Sequence, residues 1–72
     1  MKSSEVVREA MKKDGLSQAD LAKKAKYKTQ SGISNALGRE NGMRMDTFIK
    51  MMNSMGYDVV VRRGKDEMVV TE

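Results

Sequence analysis

LSQADLAKKAKYKTQSGISNALG, residues 16–38, holds two helix starts in close succession, and its reading decides the fold. Ser17 can cap a first turn with its hydroxyl while Asp20, three residues on, reaches back to the cap amide. Leu16 before the cap and Leu21 at the fourth helical position form the hydrophobic staple that accompanies such a cap. A helix therefore begins at Gln18, with Leu21, Ala22 and Ala25 on its apolar side, and the pattern breaks at the KYK of residues 26–28. Thr29 is read as the cap of a further helix, in which Ile33, Ala36 and Leu37 form a narrow inward stripe while Gln30, Ser31, Ser34 and Asn35 point the other way. Gly32 lowers the intrinsic helicity of this segment by up to about 1 kcal/mol relative to alanine, so the helix depends on its neighbours.

On the N-terminal side, Val6, Val7, Ala10 and Met11 recur at helical spacing, predicting a helix from Ser4 to Lys13 that stops at Asp14-Gly15. On the C-terminal side, RENGMR reads as a loop. Met45 to Met55 then has a clear amphipathic pattern, with Met45, Phe48, Met52 and Met55 on one stripe, Ile49 and Met51 flanking it, and Gly56 as the stop. From Tyr57 the period changes. YDVVVR and EMVVT are short β-branched runs separated by the turn-like RGKDE, which reads as a two-stranded hairpin. Such a hairpin is marginal alone and leaves exposed edges, so the tail is expected to add to a strand of a second copy, with Val59, Val60 and Val61 as the dimer seam. The expected class is all-α: a bundle of four helices over residues 1–56, with a short C-terminal strand or hairpin over 57–72.

At 72 residues the chain is one folding unit, and with no cysteine and no histidine it lacks a disulfide framework and the commonest structural zinc ligands. Without proline or tryptophan and with only Tyr27, Phe48 and Tyr57 as aromatics, its core must come from aliphatic residues and eight methionines, which pack softly. An enzyme is not expected, because the usual proton shuttle and thiolate nucleophile are missing and no glycine pattern frames a nucleophile or a phosphate. Neither a cofactor nor a metal is implied. No run is long and apolar enough to cross a bilayer, and Glu5, Arg8 and Glu9 stand where a signal peptide needs apolar residues, so a cytoplasmic protein is expected. The net charge is +4, and from Ala22 to Arg39 there are Lys23, Lys24, Lys26, Lys28 and Arg39 without an acid. A patch of one sign attracts a polyanion, nucleic acid being the usual case, although a solvated lysine-rich face is common in its own right.

Taken together, LSQADLAKKA, TQSGIS and ENGMRMDTFIKMMNSMG resemble the Cro/cI-type (XRE-like) helix-turn-helix regulators of phages and bacteria over roughly residues 3–56. TFIKMMNSMGYDVVV is also similar to the end of HipB-type antitoxin repressors, in which a strand after the last helix pairs between protomers. The resemblance implies that Gln18 and the amides at the start of the second helix hold a phosphate. It implies that Gln30, Ser31, Ser34 and Asn35 meet base edges in the major groove, and that Lys28, Arg39, Asn41 and Arg44 contact the backbone. The chain departs from the family pattern in three ways. The Ala25–Ile33 connection is one residue longer than usual, Lys26 stands where glycine is common, and three residues are inserted between Ile33 and the ENG loop. The insertion implies a longer recognition helix or a wider turn at Gly38-Arg39.

The expected function is therefore that of a sequence-specific double-stranded DNA-binding regulator, a homodimer repressing from a palindromic operator. The alternative is an antitoxin-like interaction module that neutralises a partner toxin, with DNA binding secondary. RNA binding through the lysines is disfavoured by the scarcity of aromatics on which bases could stack.

Overall fold

The computed structural model describes residues 1–72 as four helices followed by a β-hairpin: α1 Ser3–Asp14, α2 Gln18–Lys24, α3 Ser31–Leu37, α4 Met45–Ser54, β1 Val59–Arg63 and β2 Asp66–Val70. The all-α expectation is thus corrected to a small mixed α/β domain, because the tail closes on itself as a two-stranded antiparallel sheet. The reason is local. Gly64 takes φ 59°, which opens a two-residue turn with Lys65 and sets Val59 opposite Val70, Val60 opposite Val69 and Val61 opposite Met68. Three consecutive β-branched valines in β1 then fit a pleated strand better than a helical turn.

The core lies among the helices. Val7, Ala10 and Met11 of α1, Leu21, Ala22 and Ala25 around α2, Ile33, Ala36 and Leu37 of α3, and Ile49, Met51 and Met52 of α4 are its buried residues, and no polar side chain is buried with them. Each large aliphatic side chain so covered contributes about 1.5–3 kcal/mol. The four alanines let helices approach closely where larger residues would hold them apart. In α4 the buried side is Ile49, Met51 and Met52, with Phe48 and Met55 half-buried. Met45, expected on the inward stripe, is 62% exposed, at the first position of the helix.

Three helices end in the same way. After α1, the Gly15 amide donates to Lys12 and the Leu16 amide to Met11. After α2, Lys26 donates to Lys23 and Tyr27 to Ala22. After α4, Gly56 donates to Asn53 and Tyr57 to Met52. Each is a Schellman ending, with a left-handed residue followed by an apolar one that folds back on the helix. Gly15 and Gly56 take this conformation freely at φ 64° and 88°, but Lys26 takes it at φ 62° with a full side chain. The first helix exceeds its predicted Ser4–Lys13 span by one residue at each end.

The start of α3 also differs from expectation. Thr29 does not cap it. Gln30 stands at the cap position with helical φ −69° and ψ −14° and makes no side-chain cap, while Thr29 Oγ1 and Ser31 Oγ bond to each other at 2.6 Å. The helix stops at Leu37, so the inserted residues widen the turn to Met45 rather than lengthen the helix. That turn is tied to α1: the Met43 amide donates to Ser3 Oγ at 3.2 Å, and at Gly42 a Cβ would lie 3.1 Å from the same oxygen.

Candidate nucleic-acid interface

The α2–turn–α3 unit is held from below by Leu21, Ala22, Ala25, Ile33, Ala36 and Leu37, all buried. The rotation that puts Ile33, Ala36 and Leu37 inside leaves Gln30, Ser31, Ser34 and Asn35 exposed on the opposite side of α3. No carboxylate stands in α3.

The start of α2 is fixed by the capping box the sequence announces. The Ser17 amide donates to Asp20 Oδ2 at 2.9 Å and the Asp20 amide to Ser17 Oγ at 3.1 Å. The Ser17 amide, then the Ser17 hydroxyl and the charges of Lys23 and Lys24, hold the Asp20 carboxyl below the ordinary aspartate range, although the residue is exposed. This carboxylate also occupies the helix terminus expected to hold a phosphate. Beside it, the Gln18 side chain has its Oε1 accepting from Ser34 Oγ at 2.5 Å, and its amide nitrogen remains a donor.

Tyr27 fills the angle between α3 and α4. A Cβ on Gly32 would lie 2.8 Å from Tyr27 Cδ1, so the missing side chain makes room for the ring. Lys50 Nζ sits 4.5 Å from the ring centroid on the α4 side, a cation over the aromatic face. Gly32, which the sequence marks only as a weak point in the helix, thus has a packing reason.

Beside this plug lies an open cleft of about 410 Å³ between α3 and α4, with Asn35, Arg39, Arg44 and Thr47 on its polar side and Tyr27, Ala36 and Met43 among its other walls. Three residues assigned from sequence, Asn35, Arg39 and Arg44, thus meet at one place. Arg44 Nη2 is paired with Asp46 Oδ2 at 3.2 Å, both side chains being largely exposed, while Lys23, Lys24, Lys26, Lys28 and Arg39 have no ionic partner. Asn41 does not join the cleft. It lines a separate hollow with Lys2, Ser3 and Glu40. Thr47, which sequence reasoning does not single out, enters the cleft from the first turn of α4, where its amide is bonded to Asp46 Oδ1 at 2.9 Å. Its only signal is a polar residue just inside that helix start.

The predicted seam residues lie in β1. Val59 packs half-buried on the helical core, while Val60 and Val61 are 42% and 52% exposed. No helix is long and apolar enough to cross a membrane. No family model, no curated protein and no solved structure matches this chain, so its residues alone carry the functional reading.

Proposed function

We propose that this chain is a sequence-specific double-stranded DNA-binding regulator, acting as a cytoplasmic homodimer that represses transcription by occupying a palindromic or near-palindromic operator. The observation that supports this reading is the solvent-exposed face of α3. It offers amides and hydroxyls and no carboxylate, it is anchored by a fully apolar opposite side, and it is bordered by cations without ionic partners. A surface that exchanges hydrogen bonds with base edges among phosphates needs that combination.

In the proposed complex α3 enters the major groove. Gln30 and Asn35 pair with adenine, which their amides can match with one donor and one acceptor, while Ser31 and Ser34 make single bonds to base edges. Gln18, Lys28, Arg39 and Arg44 hold phosphates on the two sides of the groove, and Asn41 touches the backbone at the margin. Two copies present their α3 helices about 34 Å apart, matching successive major grooves on one side of the duplex. Selection of binding sites from random duplexes with the purified protein tests this. A two-fold symmetric motif with half-sites about one helical turn apart is expected, and recovery of no motif at low salt defeats the reading.

A second reading is favoured by the hairpin, which leaves Val60, Val61, Met68 and Val69 between 42% and 65% exposed. Such a surface also suits a protein partner, as in an antitoxin that neutralises a toxin through its tail. Co-expression with the product of an adjacent reading frame distinguishes the two: the antitoxin reading requires a stoichiometric complex that hairpin substitutions abolish and α3 substitutions leave intact.

A further inference from the structure

The chain holds three asparagines, and one of them stands in a different chemical setting from the other two. Asn35 and Asn53 lie inside α3 and α4, where the amide of the next residue, Ala36 or Ser54, belongs to the helix and has a side chain beside it. Asn53 is held further, since its Nδ2 donates to the Tyr57 carbonyl at 2.9 Å. Asn41 is exposed in the turn between α3 and α4, its side chain bonds to no other residue, and glycine follows it.

The fold itself demands that glycine. Gly42 takes φ 86°, and a Cβ there would lie 3.1 Å from Ser3 Oγ, the oxygen that accepts from the Met43 amide and ties the turn to α1. The same missing Cβ leaves the Gly42 nitrogen unshielded beside Asn41. Its one restraint is a bond to the Arg39 carbonyl at 3.2 Å, the long limit for N–H···O.

We propose that Asn41 is a site of self-modification, which converts an uncharged amide into an acid at the margin of the nucleic-acid interface. The Gly42 nitrogen gives up its proton and attacks Asn41 Cγ. The Cγ–Nδ2 bond breaks, Nδ2 takes up a proton and leaves as ammonia, and a five-membered cyclic imide remains. Water then opens the ring on one of two sides. Cleavage between the Gly42 nitrogen and Cγ gives aspartate; cleavage between that nitrogen and the Asn41 main-chain carbonyl carbon gives isoaspartate, whose backbone runs through the former side chain. One water enters, one ammonia leaves, and no electron is transferred.

Either product puts a negative charge in the turn between Arg39 and Arg44, next to Glu40. Isoaspartate also adds one atom to the main chain two residues before Met43, whose amide bond to Ser3 fixes the turn. Both changes oppose phosphate contact from this side, so duplex affinity falls as the protein ages. That consequence, unlike the chemistry, rests on the DNA reading above.

Trypsin separates the three asparagines into peptides 29–39, 40–44 and 51–62. The folded full chain is kept at mildly alkaline pH, where the Gly42 amide loses its proton more readily, and is sampled for mass mapping and for duplex titration. Peptide 40–44 should convert to its aspartate and isoaspartate forms while the other two keep their amides. Duplex affinity should decline in step, by about fivefold at full conversion, the effect of one like charge about 4 Å from a phosphate in water. Asn41→Gln would need a six-membered ring, which closes far more slowly, so its affinity should stay at its own starting value throughout. A fresh Asn41→Asp chain should already bind more weakly than the fresh parent.

A peptide 40–44 that keeps its amide as long as the other two overturns the proposal. So does an undiminished duplex affinity in a fully converted chain. Conversion at Asn41 in a protein that binds no duplex even when fresh removes the DNA reading and leaves the chemistry of the turn.

Discussion

Ser34 on α3 and Gln18 at the start of α2 are joined by a hydrogen bond of 2.5 Å between their side-chain oxygens. That length belongs to an O–H···O bond and is too short for N–H···O, so the serine hydroxyl donates and the glutamine carbonyl accepts. The polarity has a consequence for each residue. Ser34 is left with lone pairs only, which in the proposed complex suit the amino groups of adenine or cytosine, and Gln18 keeps its NH₂ group, which there suits a phosphate.

Base reading and backbone holding should therefore separate by residue. Gln30→Ala or Asn35→Ala is expected to reduce the preference for operator over random duplex by about 1–3 kcal/mol. Ser34→Ala should also narrow that preference while leaving the fold unchanged, since the hydroxyl is exposed. Titrations of the selected operator and a scrambled duplex at one salt concentration measure the difference. An equal loss on both duplexes would show that these side chains do not read bases.

Lys28→Ala and Arg44→Ala should weaken binding to every duplex alike and make the slope of log K against log salt shallower by about 0.9 for each phosphate no longer neutralised. Arg44 is also paired with Asp46, but both side chains are largely exposed, so losing that pair should hardly change stability. Thermal unfolding of the variants separates the two effects. An affinity independent of salt would remove the electrostatic part of the proposal.

Gly32→Ala should destabilise the domain even though alanine is the better helix former. The added methyl would stand 2.8 Å from Tyr27 Cδ1, so the ring must shift away from α3 and out of its contact with Lys50. Overpacking of this kind costs about 1–3 kcal/mol, more than the roughly 1 kcal/mol gained in propensity. Urea unfolding of Gly32→Ala in the parent and in a Tyr27→Ala background gives the coupling directly. If the change costs as much without the ring, the account is wrong.

The positions of the helices are legible because local signals announce them: the Ser17–Asp20 box, the Gly15 and Gly56 stops, and the paired alanines and aliphatics of α2 and α3. Thr29 misleads, because a hydroxyl before a helix predicts a cap only if its backbone is extended on entering that helix, and here Gln30 already has helical angles. The all-α class fails because it takes the hairpin for an appendage, when the turn at Gly64-Lys65 is enough to build a sheet within one chain. The cleft joining Asn35, Arg39, Arg44 and Thr47 is out of reach of the sequence, since it depends on how α4 crosses α3 and not on any spacing along the chain.

The capping box at Ser17 and Asp20 predicts an acid limit for α2. The folded Asp20 carboxyl lies below its ordinary value, so the unfolded chain binds the proton first. The contribution of the box is complete above the ordinary aspartate value of about 3.9 and fades as pH falls through the lower folded value. Stability should therefore drop more steeply below about pH 4 in the parent than in Asp20→Asn. Identical acid profiles by circular dichroism would show that the box adds nothing.

Lys26 is the sharpest test of backbone conformation in this fold. It occupies the left-handed position that glycine fills after α1 and α4, at φ 62°, where a Cβ crowds the neighbouring carbonyl at a cost of about 1 kcal/mol. Glycine also loses more entropy on folding, which offsets part of the relief. Lys26→Gly is expected to stabilise the domain by a few tenths to about 1 kcal/mol and Lys26→Asn by less, whereas Lys26→Val should destabilise it, because a β-branched side chain resists positive φ. Because Lys26 is exposed and has no ionic partner, removing its charge should not mask the backbone term. Urea midpoints in the order Gly, Asn, Lys, Val would support the strain at this residue, and a Lys26→Gly chain less stable than the parent would show that the lysine adopts the conformation without penalty.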